Sequence, residues 1–403
     1  MARTLAVLPK GARITDYISL GVIASAIPSS TVQAVLARTN KAGVRQRALP
    51  APVVVYYVIA LALYMHSSYR EVLRCLLEGL RWLGGPFAPV AVATDSAISQ
   101  ARTRLGKEPL RELHDELVGP VAEATTRGAW YRGWRLVCLD GSTLDVADRV
   151  ENEERFGRPQ GARGAGAYPK VRMVSLVEAG THVLFGSRMG AYRTSENALA
   201  QEVLPRLEPG MLCLADRGFF GRAQWERARS TGAELLWRVK AKQVLPCRRR
   251  LPDGSYLSAL GTADLRVVEY RLEGVEDAEP LYRVVTSVLD PEQAPARELA
   301  ALYHERWEIE TALDELKTHL RGARIVLRSK RPDLVEQEFY GLLLAHFAVR
   351  SLMHEAALQA DADPDALSFL HAVRVVRRKL PFHAAIPPSG PSQTPPGGAE
   401  GTA

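Results

Sequence analysis

Cysteine is scarce in this chain, with four in 403 residues. Cys75, Cys138, Cys213 and Cys247 contain neither a Cys-x-x-Cys pair nor a zinc-type spacing, and three of them lie in apolar surroundings. That excludes a disulfide framework or a structural zinc site from the reading and favours a reduced, cytosolic chain. Long apolar runs are missing too. The longest, Ala51 to Met65, is about 15 residues, short of the roughly 20 that a membrane helix needs, and reads as a buried helix. The opening Met-Ala-Arg-Thr-Leu-Ala-Val-Leu-Pro-Lys is too short and too broken for a signal peptide. A soluble protein without a membrane partner is expected. The nine histidines form no cluster, and no internal repeat is visible.

What is present is size and positive charge. A chain of 403 residues, 47% of them hydrophobic, can bury one large core or two to three domains. The 52 Lys and Arg outweigh 45 Asp and Glu, giving a formal charge of +7. That balance favours a polyanionic partner without naming it, since ribosomal proteins, RNA enzymes and surface-bound proteins share it.

From about residue 12 to 128 the pattern is helical. Asp16 can cap a first segment and Ser29-Ser30-Thr31 a second that runs to Arg38. Pro52 starts the apolar helix to Met65, and Ser67-Ser68 restart the chain as Tyr69 to Trp82, which Gly84-Gly85-Pro86 breaks. Ser96 to Leu105 and Leu110 to Thr126 read as two more helices. Lys10, Arg13, Arg38, Lys41, Arg45 and Arg47 make this region basic. It is either a recognition module or a bundle that only packs on the core.

The pattern changes at Trp130. Arg135 to Leu139 is a short apolar run ending in Asp140, as a strand buried on both faces should be. Val171 to Val177 and Thr181 to Phe185 read as a hairpin, and Asn197 to Leu207 as a helix. Met211 to Ala215 is another buried strand, ending in Asp216; Arg222 to Ser230 is a helix and Glu234 to Val239 a fifth strand. Three strands, helix, strand, helix, strand is the element order of a ribonuclease-H-like α/β core. Both aspartates then sit at the ends of neighbouring buried strands, where open α/β sheets place their sites. Between Lys242 and Ala294 the pattern alternates: a hairpin turning at Pro252-Asp253-Gly254, then strands over Leu265 to Leu272 and Leu281 to Leu289, form a β insertion. Leu334 to Gln359 and Ala366 to Leu380 look helical, and the Pro- and Gly-rich tail from Ala384 reads as disordered. The expected organisation is a helical N-terminal domain over 1–128 and an α/β domain over 129–330 with its β insertion at about 243–294. C-terminal helices follow over 331–383, then the tail, 384–403.

The most informative stretch is Ala301 to Leu320, rich in Leu, Ala, Glu and Lys with no Gly or Pro, and therefore helical. At about 100° per residue, Leu302, Ile309, Leu313, Leu316 and Leu320 form one apolar arc. Tyr303, Arg306, Glu310 and Lys317 form a second beside it, and Glu305, Glu308 and Glu315 point elsewhere, to solvent. A carboxylate flanked by a hydroxyl and two cations suits a metal ion beside a phosphate. The plain alternative is an Arg306–Glu310 surface pair worth a few tenths of a kcal/mol.

The spacing Tyr, two residues, Arg, three residues, Glu, six residues, Lys resembles the Tyr-Arg-Glu-Lys signature of the DDE transposases of the insertion-sequence-four family. Leu139-Asp140-Gly141-Ser142-Thr143 resembles their first-aspartate motif and Ala215-Asp216-Arg217-Gly218-Phe219 their second. The resemblance covers roughly 135 to 320 and, more weakly, the helical N-terminus, and implies a cut-and-paste transposase with a DNA-binding domain over 1–128 and a catalytic domain over 129–330. Asp140, Asp216 and Glu310 would be its catalytic triad and the ligands of two Mg²⁺ ions, with Mn²⁺ able to substitute. Asp140 would bridge the two. Oxygen ligands suit these ions, and two ions would activate the attacking oxygen and neutralise the leaving one. The resemblance also implies a 3′-hydroxyl freed by nicking, a hairpin intermediate and joining to target DNA. Tyr303, Arg306 and Lys317 would hold the DNA end.

A second basic set, Arg238, Lys240, Lys242, Arg248, Arg249 and Arg250, leaves the fifth strand beside the proposed site and reads as a DNA track. Trp237 could stack on an extruded base, but alternation along its strand favours core packing; Asp145 and Asp148 read as loop residues. The expected partners are double-stranded DNA, both terminal inverted repeats and target, and a second copy of the chain in a DNA-bound homodimer. The expected location is a bacterial cytoplasm, associated with the nucleoid. Another ribonuclease-H-like nuclease, or an inactive DNA-binding relic, would share parts of this pattern. The intact triad argues against the relic.

On the three-faced reading, Arg306→Ala and Lys317→Ala should each reduce single-turnover cleavage of an end-containing duplex while shifting stability by only a few tenths of a kcal/mol. Glu308→Ala should be silent. Equal activity of the Arg306 and Glu308 variants would show that the helix has only two faces.

Overall fold

The computed structural model describes residues 20–43, 49–82, 92–159, 168–272, 279–305, 312–313, 315–320 and 326–378. Asp16, the Gly84-Gly85-Pro86 break, the tail from Ala384, and Arg306, Glu308 and Glu310 of the signature stretch lie outside the described residues.

The N-terminal part consists of α1 (Leu20–Ala26), α2 (Ser29–Arg38), α3 (Ala51–Leu63), α4 (Tyr69–Trp82), α5 (Asp95–Leu105) and α6 (Glu108–Leu117). Pro28, not the Ser-Thr cluster, precedes α2, and no side chain caps it. On α5 the cap is Thr94, whose hydroxyl accepts from the Ala97 amide. The expected helix to Thr126 stops at Leu117 because Gly119-Pro120 follows, and proline can neither donate its amide nor accept a helical predecessor.

Next come β1 (Trp130–Tyr131), β2 (Trp134–Asp145), α7 (Val150–Phe156), β3 (Lys170–Glu178), β4 (Leu184–Ala191), α8 (Glu196–Val203), β5 (Met211–Ala215), α9 (Arg222–Arg229) and β6 (Glu234–Arg238). β2, β5 and β6 run parallel, while β3 and β4 are antiparallel additions, in the order β4-β3-β2-β5-β6. This is the ribonuclease-H-like arrangement, and the fully apolar β5 is buried at every position, as a central parallel strand must be. The insertion strands β7 (Arg249–Arg250), β8 (Tyr256–Leu260), β9 (Ala263–Tyr270) and β10 (Tyr282–Thr286) do not form a separate sheet. β10 pairs antiparallel with β6, and β9, β8 and β7 follow, so one sheet continues across both parts.

Helix α10 (Ala296–Glu305), a π-helical turn (Glu315–Leu320), α11 (Pro332–Gln359) and α12 (Phe369–Arg378) complete the described chain. α3 is buried from Val53 through Leu63 because it is enclosed on more than one side. It packs along α11, which also touches α1 and α6. Gly341 of α11 permits this approach: a Cβ there would lie 2.8 Å from Val58 Cγ1 and 2.9 Å from the Val58 carbonyl oxygen. Buried Arg102 of α5 fastens the same layer, donating to Gln337 Oε1 at 2.8 Å, Ser329 Oγ at 3.0 Å and the Leu334 carbonyl at 3.1 Å. Helices from both ends of the chain thus share one apolar core. No helix among the described residues is long and apolar enough to cross a membrane.

Because the obstructing atoms include backbone, Gly341→Ala should cost about 1–3 kcal/mol through overpacking, read as a lower urea midpoint. An unchanged midpoint would mean that α3 and α11 do not meet this closely.

Candidate active site at the ends of the parallel strands

The site follows from register. Leu139 of β2 pairs with Ala215 of β5, and Ala215 pairs with Trp237 of β6. The next residue on each strand is Asp140, Asp216 and Arg238. Strand spacing of about 4.8 Å therefore sets two carboxylates and a guanidinium side by side at one level. β2 does not end at Asp140, as its apolar run suggested. It continues to Asp145 because β3 goes on pairing with it, Asp140 opposite Ser175. What ends after Leu139 is its pairing with β5, and that opens the edge on which Asp140 sits.

Asp140 is half-buried, and its Oδ1 accepts from the Gly141 amide at 2.8 Å. The Glu196 side chain packs on Gly141, where a Cβ would lie 2.9 Å from the Glu196 carboxyl carbon. Glu196 is held in turn by Arg172 at 2.7 Å. Asp216, also half-buried, is met by buried Tyr303 of α10, whose hydroxyl lies 3.5 Å from Asp216 Oδ1 and from the Ala215 carbonyl. Tyr303 thus faces the second aspartate.

Arg238 Nη2 lies 2.7 Å from Glu279 Oε2, and the guanidinium sits 4.8 Å over the Tyr282 ring. Burial works against its charge, but the ion pair with Glu279, helped by Tyr303 and Asp216, raises its pKa. Tyr282 stacks on Tyr270 at 5.4 Å, and His304 stands edge-on to both at 5.6 Å. Arg217 donates from Nη1 to the other Glu279 oxygen at 2.9 Å. The predicted basic track is divided. Lys240 and Lys242 are exposed just beyond β6, and Arg248 pairs with Asp264 at 3.1 Å. Arg249 and Arg250 form the outermost strand, four spacings or roughly 19 Å from β6, so they do not flank the aspartates. Trp237 is fully buried with its ring 5.6 Å edge-on to Trp225, and is a core residue. Asp148 is in a loop and pairs with Arg158 at 2.6 Å, whereas Asp145 closes β2 and pairs with Lys170 at 2.5 Å.

The signature stretch departs from a regular wheel. Leu313, Leu316 and Leu320 are buried as expected, and Lys317 is half-buried. Glu315, expected at solvent, is buried instead. The π-helical turn widens the helix, bringing residues five apart onto one side, so Glu315 turns inward with Leu320. There Arg350 of α11 meets it, with Nε donating at 2.9 Å and Nη2 bonding both oxygens. His346 Nε2 lies 3.8 Å from Glu315, and His182 Nδ1, which accepts from Arg350 at 2.5 Å, lies 3.7 Å away. Burial pushes the Glu315 carboxyl up, but His182, His346 and Arg350 together hold it well below the usual carboxylate range. Burial lowers His346, outweighing its attraction to Glu315.

Of the three carboxylates of the expected triad, Asp140 and Asp216 lie within the described residues. Among the described residues no group of three or more His, Cys, Asp or Glu side chains could hold a metal ion. Arg217, Glu279, Glu196 and the Glu315–Arg350 pair were not picked out from sequence. Arg217 carried a signal, its place beside Asp216. Glu279 carried none, since its contact spans 62 positions.

Residues 17–115 match the family model of the insertion element 4 transposase N-terminal region, and residues 132–348 match that of the transposase DDE domain. The chain is 30% identical over 360 residues to "Transposase InsG for insertion sequence element IS4" of Escherichia coli K12, covering 86% of this chain and 79% of that protein. It is 26% identical over 263 residues to the "Putative transposase InsZ" of the same strain, covering 64% and 82%. Among solved structures, a piggyBac transposase synaptic complex with hairpin DNA aligns with a TM-score of 0.48 at 10% identity, covering 90% of this chain and 79% of that one.

The buried ionic cluster makes stability pH-dependent. His346 has a depressed folded pKa, so stability is full above its ordinary value of 6.5 and falls as pH drops below it. Glu315, also depressed, adds a second loss as pH falls through and below its ordinary 4.5. Glu315→Ala, which strands the buried Arg350 charge, should cost about 3–5 kcal/mol at pH 7 and flatten the second loss. Melting curves from pH 8 to 4 check both, and a variant as stable as the parent would show that the cluster is hydrated.

Proposed function

We propose a division of labour within a chain that belongs to the insertion-element-4 family of DDE transposases and is a DNA transposase: Asp140, Asp216 and Glu310 hold two divalent cations, and Arg238, Tyr303, Arg306 and Lys317 engage the DNA end beside them. One observation carries this reading, the parallel register that sets Asp140 and Asp216 side by side on adjacent strands.

The donors suit the ions. Both are carboxylates, hard oxygen ligands of the kind Mg²⁺ takes, with Mn²⁺ as a substitute. Both are only half-buried. Bound divalent ions would neutralise the phosphate charge and favour the attacking oxygen. The chain's own groups do the rest. Gly141 orients Asp140 through its amide, Tyr303 limits the rotation of Asp216, and Arg238 offers a fixed positive charge on the next strand. In this reading water cleaves the element end and leaves a 3′-hydroxyl, which forms a hairpin with the opposite strand; the end, reopened, joins target DNA. The helical region over 1–128 recognises the terminal inverted repeats, and two copies of the chain hold two ends together. Arg38 there pairs with Glu112 at 3.0 Å and Glu116 at 2.6 Å.

Asp140→Asn, Asp216→Asn and Glu310→Gln should each reduce Mg²⁺-dependent nicking of an end-containing duplex at least about a hundred-fold, with DNA affinity nearly unchanged. A variant that nicks at the parent rate removes that residue from the site.

A further inference from the structure

We propose that Arg217 and Arg238 form a clamp for a DNA backbone phosphate at the active site, and that Glu279 occupies this clamp in the free protein and is displaced when DNA enters. The inference rests on the reading of Asp140 and Asp216 as the DNA-cleaving centre and adds a regulated contact to it.

The two arginines come from different elements yet converge on one carboxylate. Arg217 directly follows Asp216, and Arg238 lies level with Asp216 on the next strand. Each takes a different oxygen of Glu279, at 2.9 Å and 2.7 Å. A phosphate presents arginine with the same kind of acceptor pair as a carboxylate, so a site that grips one can grip the other. The jaws differ in rigidity. Arg238 is 16% exposed by side chain and backed by Tyr282, so its guanidinium is already desolvated and aimed. Arg217 and Glu279 are 49% and 40% exposed, and an ion pair so wetted is readily given up.

Glu279 is also well placed to leave without disturbing the sheet. It precedes β10, where its amide donates to the Tyr282 hydroxyl at 3.2 Å. Its carboxylate can swing out while that backbone contact and the ring under Arg238 stay in place. Glu279, like the two aspartates, carries a negative charge that repels an approaching phosphate. Removing one of those charges from the path is therefore part of admitting DNA, and holding it there weakens binding to DNA that makes no other contact.

The test is fluorescence anisotropy of full-length protein on an end-containing duplex, in EDTA, over a series of salt concentrations. The parent is compared with Glu279→Gln, Arg217→Ala, Arg217→Lys and the Glu279→Gln/Arg217→Ala double variant. Glu226→Gln serves as a matched loss of charge, because Glu226 belongs to an exposed pair with Arg222 on α9. Melting curves confirm that each variant is folded. Glu279→Gln should tighten binding about five-fold, more than Glu226→Gln does. In the Arg217→Ala background that gain should shrink to the control value, and Arg217→Lys, which keeps the charge but not the fork, should also lose most of it. An equal gain with and without Arg217 overturns the clamp, as does no gain at all. If the parent binds with a salt dependence and nicks DNA while those gains are equal, the clamp alone falls. A parent without salt-dependent binding overturns the clamp and the DNA-cleaving reading beneath it.

Discussion

The parallel pairing of β2 with β5 and of β5 with β6 sets where Asp140, Asp216 and Arg238 stand. Side chains alternate along a strand, so a slip of one residue would turn Asp216 toward the other face and put an apolar neighbour beside Asp140. Burial prevents the slip. β5 is covered at all five positions, and Trp237, one residue before Arg238, is wedged edge-on against Trp225 of α9. The chemistry at the strand ends therefore depends on apolar contacts one residue back from it.

The insertion is tied to that register as well. Val285 of β10 pairs with Trp237, so the insertion strands continue the sheet from the strand that carries Arg238. This brings Tyr282, Tyr270 and Glu279 over the same edge and gives the guanidinium an aromatic backing and a carboxylate partner. The helical layer holds the other side. Arg350 of α11 reaches Glu315, which lies between Glu310 and Lys317 of the signature, so α11, which also packs on α3, helps fix how the signature stretch lies.

Much of this was legible where local pattern and tertiary environment agree. Met211 to Ala215 was readable as a buried strand to the residue, and strand alternation placed Trp237 in the core. The order of the other core strands and helices followed from turn residues and apolar runs, whereas β1 and the short α7 between β2 and β3 were not read. Reading failed where a distant partner decides. Asp140 looked like a strand terminus because its own run ends there, but β3 extends β2 by five more residues. Glu315 looked solvated because a regular 3.6-residue wheel says so, whereas a π-helical turn and an arginine 35 positions away draw it inside. The far placement of Arg249 and Arg250 was likewise invisible, since their closeness to Arg238 in sequence says nothing about how many strands separate them.

If strand register makes Asp140 and Asp216 share a cation site, the bound ion itself can report its position. The most direct measurement replaces Mg²⁺ with Fe²⁺ and maps where hydroxyl radicals generated at the bound ion cut the protein backbone. Cuts should cluster beside Asp140 and Asp216, with a third near Glu310, all suppressed by excess Mg²⁺ and lost in Asp140→Asn. Cuts elsewhere in the chain, or cuts at these positions that persist in Asp140→Asn, would contradict a shared site.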